Sequence, residues 1–246
     1  MSTRGLPAAL SELSPKAKAR LAAGFYLLTI VFAGIGTSVE NRLILLGDAS
    51  ATAANILTHG DLLRTGWAAY LVEMACNVAV TALLYDLLKP VSRSVSRLAV
   101  LFALTAIIIK TMSRLFLIAP FFLLGHSDAL SPFAGPQGMA LSQAFLHINA
   151  QGAGLAMVFF GFYTLLSGWL IIRSTFLPSW LGWLGVVAGF GWLTFLWLPL
   201  GLRYAGVVTL IALVGAAAKI GWFLIVGVNE ERWLAEERAA AASIWA

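Results

Sequence analysis

The chain has 246 residues, of which 60% are hydrophobic and only 11% are charged. A water-soluble domain carries about 25% charged residues, so this composition excludes a globular protein that is solvated on all sides. The net charge is +5, and the basic residues of the chain cluster near the N terminus and between residues 89 and 97. Such clustering favours contact with anionic lipid head groups and gives no indication of nucleic-acid binding.

The cysteine and histidine content limits the kinds of metal site and cross-link that are possible. Cys76 is the only cysteine, which excludes a disulfide within the chain and a cysteine-rich zinc site. The three histidines show no spacing that is typical of a metalloenzyme. We therefore expect neither a bound metal nor a cofactor.

Long apolar runs predict an all-α, polytopic membrane helix bundle with six transmembrane helices. A transmembrane domain over residues 21–228 would be flanked by an N-terminal tail, residues 1–20, and a polar C-terminal helix, residues 229–246. The predicted spans are Leu21–Ser38, Trp67–Leu88, Leu98–Leu124, Gly152–Ile172, Ser179–Leu198 and Ala205–Val228.

The distribution of Lys and Arg predicts the orientation of these spans. The N-terminal tail, the 89–97 loop and Arg173 fall on one side, and together they carry more positive charge than Arg42, Arg64 and Arg203 on the other. Because positive loops stay in the cytoplasm, both termini are predicted to be cytoplasmic. We therefore expect a multi-pass protein of the cell inner membrane.

A short polar stretch between the first two spans predicts an additional helix. Asp48 is a good N-cap residue, and the Ala-rich turns that follow it end before Gly60. This stretch is too short to cross a bilayer. We expect a short amphipathic helix on the outer surface.

The second and third spans contain charged residues at similar depths. Glu73 precedes Leu88 by fifteen residues, or about 22 Å of helix, and Lys110 and Arg114 follow Leu98 by roughly 18 and 24 Å. Charges in a bilayer core are costly and require partners. The pattern predicts a buried cluster of Glu73, Lys110 and Arg114, with Asn77 one turn from Glu73 on the same helix face.

This cluster has a structural and a functional interpretation. It could be an ion-pair staple that fixes the order of the helices, or a polar site for a ligand, an ion or a proton. One glutamate facing two cations leaves one positive charge over. Three groups could neutralise it: an anionic lipid head group, a ligand carboxylate, or Glu40 at the end of the first span.

Two further patterns lie in the fourth and fifth spans. Gln143, His147 and Gln151 follow one another at intervals of four, so they share a helix face and could line the same site. His147 could carry a proton or simply form an interfacial hydrogen bond. The glycines of the fifth span form a small-residue stripe for close helix packing, within the chain or in a homo-oligomer. They are Gly182, Gly185 and Gly189.

Three motifs in chain order give the sequence a family resemblance. The first is Arg42-Leu43-Ile44 with residues 47–56, the second is Phe159-Phe160-Gly161-Phe162-Tyr163 with residues 168–174 and 176–178 after it, and the third is residues 222–228. With these motifs the chain resembles a bacterial membrane family, domain of unknown function 4386, and the resemblance implies a multi-helix inner-membrane protein without implying an activity.

The function is less constrained than the fold. The leading hypothesis is a binding protein for an anionic, lipid-like amphiphile, with membrane lipids as partners and Glu73, Lys110 and Arg114 in the pocket. The first alternative is an integral-membrane enzyme acting on an isoprenoid or lipid, with Glu73 as general acid or base. The second is a small transporter, although the sequence lacks clearly interrupted helices or paired half-repeats.

Overall fold

Helices dominate the structure because, in lipid, a helix satisfies its backbone polar groups within one segment. The computed structural model describes residues 13–125 and 135–242, and these residues form eight α-helices, one 3-10 turn and no strand. The prediction of an all-α protein is therefore confirmed. The helices are α1 (Pro15–Leu43), α2 (Ala49–Thr58), α3 (Gly60–Leu88), α4 (Arg93–Leu124), α5 (Pro136–Arg173), α6 (Ser179–Leu193), α7 (Leu198–Ile225) and α8 (Glu230–Ala242).

Six of these helices are long and apolar enough to cross a membrane, as the sequence predicted. They are α1, α3, α4, α5, α7, and α6 together with the 3-10 turn that follows it. Helices α1, α3, α4 and α5 extend beyond the predicted apolar runs, whereas α6 ends at Leu193 and α7 at Ile225, both short of the predicted ends of their spans. For example, α1 has 29 residues and continues to Leu43, so Glu40 still lies on the helix. Hydropathy locates the apolar part of a helix, whereas the backbone can remain helical through its polar ends.

The short helix α2 begins at a well-formed N-cap. The Asp48 side chain accepts hydrogen bonds from the Ala51 amide at 2.9 Å and the Ser50 hydroxyl at 2.8 Å. These bonds, the backbone bond foremost, hold the pKa of Asp48 below its usual value. Thr52, Ala53 and Ile56 form the buried face of α2, which confirms the predicted short amphipathic helix.

The chain divides into two compact units. The terminal unit consists of Met1–Leu27, Asn77–Leu104 and Val158–Ala246, and the middle unit consists of Leu28–Cys76 and Thr105–Met157. Residues 1–12, 126–134 and 243–246 lie outside the described residues. The predictions made for the beginning of the N-terminal tail, for the loop containing His126 and for the last residues of the C-terminal helix fall there.

The middle unit has a core built from parts of five helices, α1 to α5. Tyr70 is the one residue with a polar group in this core, and its ring is almost completely buried. The core consists of Val39, Leu43, Ile56, Leu63, Tyr70, Leu117, Ile118 and Leu146.

In the terminal unit, the polar helix α8 is attached by side-chain hydrogen bonds. Trp233 is buried, and its indole Nε1 donates to the Leu87 carbonyl at 2.9 Å. The Glu236 carboxylate accepts from the hydroxyl and the amide of Thr175. Helix α8 is therefore a docked element of the terminal unit rather than a free tail.

The glycine stripe of α6 packs against α5 within the same chain. A Cβ atom at Gly182 would lie 2.5 Å from the Gly168 carbonyl oxygen, and one at Gly189 would lie 3.0 Å from the Gly161 carbonyl oxygen. Only glycine allows two helices to approach this closely. The stripe thus serves an intrachain contact, and self-association through it stays a prediction.

Large apolar side chains remain exposed along the spans. Leu210 and Phe190 are each 63% exposed, and other exposed residues occur on every spanning helix. A water-soluble protein would bury such an extensive apolar surface. On helices of this length, it is the surface expected to face lipid.

Candidate functional site: a buried ion-pair network

Glu73 and Lys110 form the ion pair that the sequence predicted. The Lys110 ammonium lies 2.6 Å from Glu73 Oε1, and the Glu73 residue is only 3% exposed. Both residues belong to the middle unit, on α3 and α4. The match of their depths, inferred from residue counts along two helices, is confirmed by this contact.

Arg114 lies one turn after Lys110 and is almost completely buried against Tyr70. The centre of its guanidinium group lies 3.8 Å from the centre of the Tyr70 ring, which is a close cation–π contact. The backbone carbonyl of Arg114 accepts a hydrogen bond from Trp67 Nε1 at 3.0 Å. Two aromatic residues of α3 therefore fix both the side chain and the backbone of this arginine.

Glu40 is the counter-ion of Arg114. Its Oε2 lies 3.3 Å from Arg114 Nη1 and also accepts the Tyr70 hydroxyl proton at 2.7 Å. Its Oε1 accepts from Asn149 Nδ2 at 3.1 Å, while Asn149 Oδ1 accepts from Arg114 Nη1 at 3.1 Å. We call Glu40, Tyr70, Arg114 and Asn149 the arginine network.

The predicted surplus of positive charge in the cluster is wrong. Two carboxylates, Glu40 and Glu73, face two cations, Lys110 and Arg114, so the formal charges cancel. The sequence offered Glu40 as one of three possible partners but placed it just beyond the first span. Because α1 remains helical to Leu43, Glu40 reaches Arg114 directly.

Glycines allow the helices of the middle unit to approach closely enough to form the network. A Cβ at Gly36 would lie 2.8 Å from the Tyr70 ring, so the absence of a side chain makes room for that ring beside α1. A Cβ at Gly152 would lie 2.8 Å from the Ser113 Cβ. That contact brings α5, and with it Asn149, next to the turn of α4 that carries Arg114.

The remaining predicted site residues are Asn77 on α3 and the stripe of Gln143, His147 and Gln151 on α5. Asn77 follows Glu73 by one turn but belongs to the terminal unit, where its backbone carbonyl accepts from Thr81. Gln143 donates to the Leu45 carbonyl and contacts Thr52. His147 and Gln151 are exposed. A ligand-binding role for these four residues stays a prediction.

Sequence reasoning missed Tyr70 and did not assign Asn149 to the cluster. Tyr70 precedes Glu73 by three residues, so the helical period alone places the two on one face of α3. Asn149 follows Ser142 by seven residues, and both are buried on one face of α5. The i, i+4, i+8 pattern of Gln143, His147 and Gln151 predicted a different face of α5, on which His147 and Gln151 are exposed.

The network leaves one donor available to a further group. No described residue accepts a hydrogen bond from Arg114 Nε, although this atom is buried. Among the four charged side chains, that of Glu40 is the most exposed, at 26%. Across the described ranges, no group of three or more His, Cys, Asp and Glu residues is placed to hold a metal ion.

Six apolar spans with charged side chains held inside them define the chain as a multi-pass integral membrane protein. Within that class, it belongs to the family described as domain of unknown function DUF4386, whose family model matches residues 21–227. The resemblance found in the sequence motifs is therefore confirmed. No curated protein and no solved structure matches the chain.

Proposed function

We propose that this chain is a binding protein of the bacterial inner membrane, and that its ligand is an amphiphile with an anionic head group. One observation carries the proposal: Arg114 is a buried cation whose counter-ion, Glu40, is the most exposed charge of the cluster. A second carboxylate or a phosphate could replace Glu40 at Arg114 without leaving the guanidinium unpaired.

The ligand head group would replace the Glu40 carboxylate at Arg114 rather than bind in addition to it. Such an exchange is energetically feasible because Arg114 keeps one counter-ion throughout. Removing the partner of a buried charge costs about 3–5 kcal/mol, so Arg114 needs a counter-ion at all times. The ligand head group supplies one and can also accept from Arg114 Nε, which has no acceptor among the described residues. Charge-assisted bonds of this kind are roughly twice as strong as neutral ones.

The apolar part of the ligand has a surface beside the same turn of α4. Leu115 and Met112 are exposed next to Arg114, and Phe116 packs on Phe145 with ring centres 6.0 Å apart. A single hydrocarbon tail lying along these residues would remain in contact with lipid. The proposed ligand therefore resembles a fatty acid or another single-chain anionic lipid.

The test compares oleate with oleyl alcohol, which has the same chain and no charge, by following thermal unfolding of the purified protein in a neutral detergent. We expect oleate to stabilise the wild type and oleyl alcohol to leave its unfolding temperature unchanged. Arg114→Gln should weaken oleate binding about tenfold, because one charge-assisted contact is lost. Glu40→Gln should strengthen oleate binding, because it removes the competing carboxylate.

The opposite responses of these two variants distinguish a binding site from a structural ion pair. If both variants lose stability and neither changes the response to oleate, the proposal is wrong. Arg64→Gln is the matched control, since Arg64 is an exposed cation of the same unit. Turnover of an added lipid by the wild type but not by Glu73→Gln would support the enzyme alternative instead.

A further inference from the structure

A groove in the terminal unit lies between the last turns of α3 and the first turns of α4. Its volume is about 550 Å³, within the range of about 300–1,000 Å³ that is usual for small-molecule sites. The groove is separate from the arginine network, which belongs to the middle unit. It is lined by Ala82, Tyr85, Asp86, Arg97, Val100 and Leu101.

The walls of this groove are apolar, and charged groups occur where α3 and α4 approach their connecting turn. Leu101 is 62% exposed, which leaves its side chain accessible from the surrounding lipid. Arg97 is exposed one turn before Leu101. No described residue forms a hydrogen bond or an ion pair with its guanidinium group. The groove thus combines apolar walls with a cation that is available to a ligand.

The carboxylate in the lining does not cancel this cation. Asp86 Oδ1 lies 2.7 Å from the Lys89 ammonium, and Asp86 Oδ2 lies 3.4 Å from that of Lys18. Each oxygen therefore already has a positive partner. Arg93 at the start of α4 is exposed and adds a further positive charge.

The depth of Arg97 suits a lipid head group. Helix α4 has 32 residues and is therefore about 48 Å long, whereas the hydrocarbon core of a bilayer is about 30 Å thick. Its first turns, including Arg97, would then lie near the head-group region. The groove extends from there toward Ala82 and Leu101, in the direction of the hydrocarbon.

We propose that this groove is a binding site for an anionic phospholipid of the bilayer. The phosphate contacts Arg97, and one acyl chain lies in the groove between Tyr85, Val100 and Leu101. The ammonium of a zwitterionic head group would be repelled by Lys89 and Arg93. It would also have no free carboxylate in the lining, because Asp86 is already paired with Lys89 and Lys18. The surplus of cations therefore selects an anionic head group over a zwitterionic one.

Native mass spectrometry of the purified protein in dodecyl maltoside tests this site directly. Dioleoyl phosphatidylglycerol and dioleoyl phosphatidylcholine, which share their acyl chains, would be titrated separately. A basic residue near a membrane surface contributes enough to anionic-lipid binding for about a fivefold change in affinity. We expect the wild type to prefer phosphatidylglycerol by at least that factor, and Arg97→Gln to lose the preference.

Three further variants determine whether the lipid occupies the groove. Arg97→Lys keeps the charge and should retain most of the preference, whereas Ala82→Trp fills the groove and should reduce binding of both lipids. Arg173→Gln is the control, because Arg173 lies in the same unit and stacks on Trp169 instead of lining the groove. Equal loss of preference in Arg173→Gln and Arg97→Gln would overturn the proposal, as would an unchanged preference in Arg97→Gln. Neither result involves the arginine network.

Discussion

Tyr70 contacts both cations and one of the two carboxylates of the buried cluster. Its hydroxyl donates to Glu40 and lies 3.2 Å from the Thr37 hydroxyl, while its ring contacts Arg114 and lies 5.9 Å from the Lys110 ammonium. The ring thus lies beside both cations, and the hydroxyl orients the Glu40 carboxylate that pairs with Arg114. A single side chain performs both tasks because tyrosine combines an aromatic face with a hydroxyl donor.

Removing only the Tyr70 hydroxyl should weaken the network without dismantling it. A hydrogen bond to a charged group contributes about 1.5–3 kcal/mol, so Tyr70→Phe should lower the unfolding midpoint in detergent by about 3–12 °C. Tyr70→Leu should lower it further, because the cation–π contact is lost as well. Tyr204→Phe, at an exposed position, is the control and should leave the midpoint unchanged. Equal midpoints for Tyr70→Phe and the wild type would show that the hydroxyl does not contribute to the stability of the protein.

How much of the site could be predicted differs from one residue to the next. The pairing of Glu73 with Lys110 follows from their depths, because the rise per residue of a helix is constant. The pairing of Arg114 with Glu40 required knowledge of where α1 ends, and helix ends are poorly marked in an apolar sequence. The position of Asn149 depends on the rotation of α5 about its axis, which a helix with apolar residues on every side does not reveal.

Helices α5 and α6 form a contact that depends on glycine at several positions. At Gly182 the obstacle to a side chain is backbone on the facing helix, since a Cβ would meet the Gly168 carbonyl oxygen and would lie 2.8 Å from the Ile172 amide nitrogen. Backbone atoms cannot rotate away as a flexible side chain can. The helices would have to separate to accommodate even one methyl group.

Gly182→Ala should therefore destabilise the protein although alanine is the better helix former. Overpacking costs typically about 1–3 kcal/mol, which exceeds the gain of up to about 1 kcal/mol in helix propensity. The matched control is Gly221→Ala on α7, where the added Cβ would have no atom within 4 Å other than those of the adjacent residues and the local helix backbone, so the propensity gain should remain. The measurement is the thermal midpoint of each variant in the same detergent. If Gly182→Ala were as stable as Gly221→Ala, the close helix contact would be disproved.

At the scale of the whole molecule, composition and hydropathy were enough to predict the class of fold. Six apolar runs became six spans because a bilayer accepts no other structure for such segments than a helix or a closed barrel, and the runs are too long for strands. The division of the chain into two units could not be predicted. It separates residues of the same helix, such as Cys76 from Asn77, and depends on how helices from distant parts of the sequence pack.

The predicted orientation places both termini in the cytoplasm and α2 on the opposite side, and a cysteine-labelling experiment can test both. Cys76 is buried in a spanning helix, so the wild type should react little with a membrane-impermeant maleimide and can serve as the background control. Ser50→Cys and Ala241→Cys place a thiol at exposed positions of α2 and α8.

An even number of spans puts α8 on the same side as the N terminus, whereas α2, between α1 and α3, lies across the membrane from it. Intact cells should therefore label the Ser50→Cys variant, and the Ala241→Cys variant should react only after the membrane is permeabilised. The reverse pattern would invert the orientation, and labelling of both variants in intact cells would contradict the count of six spans.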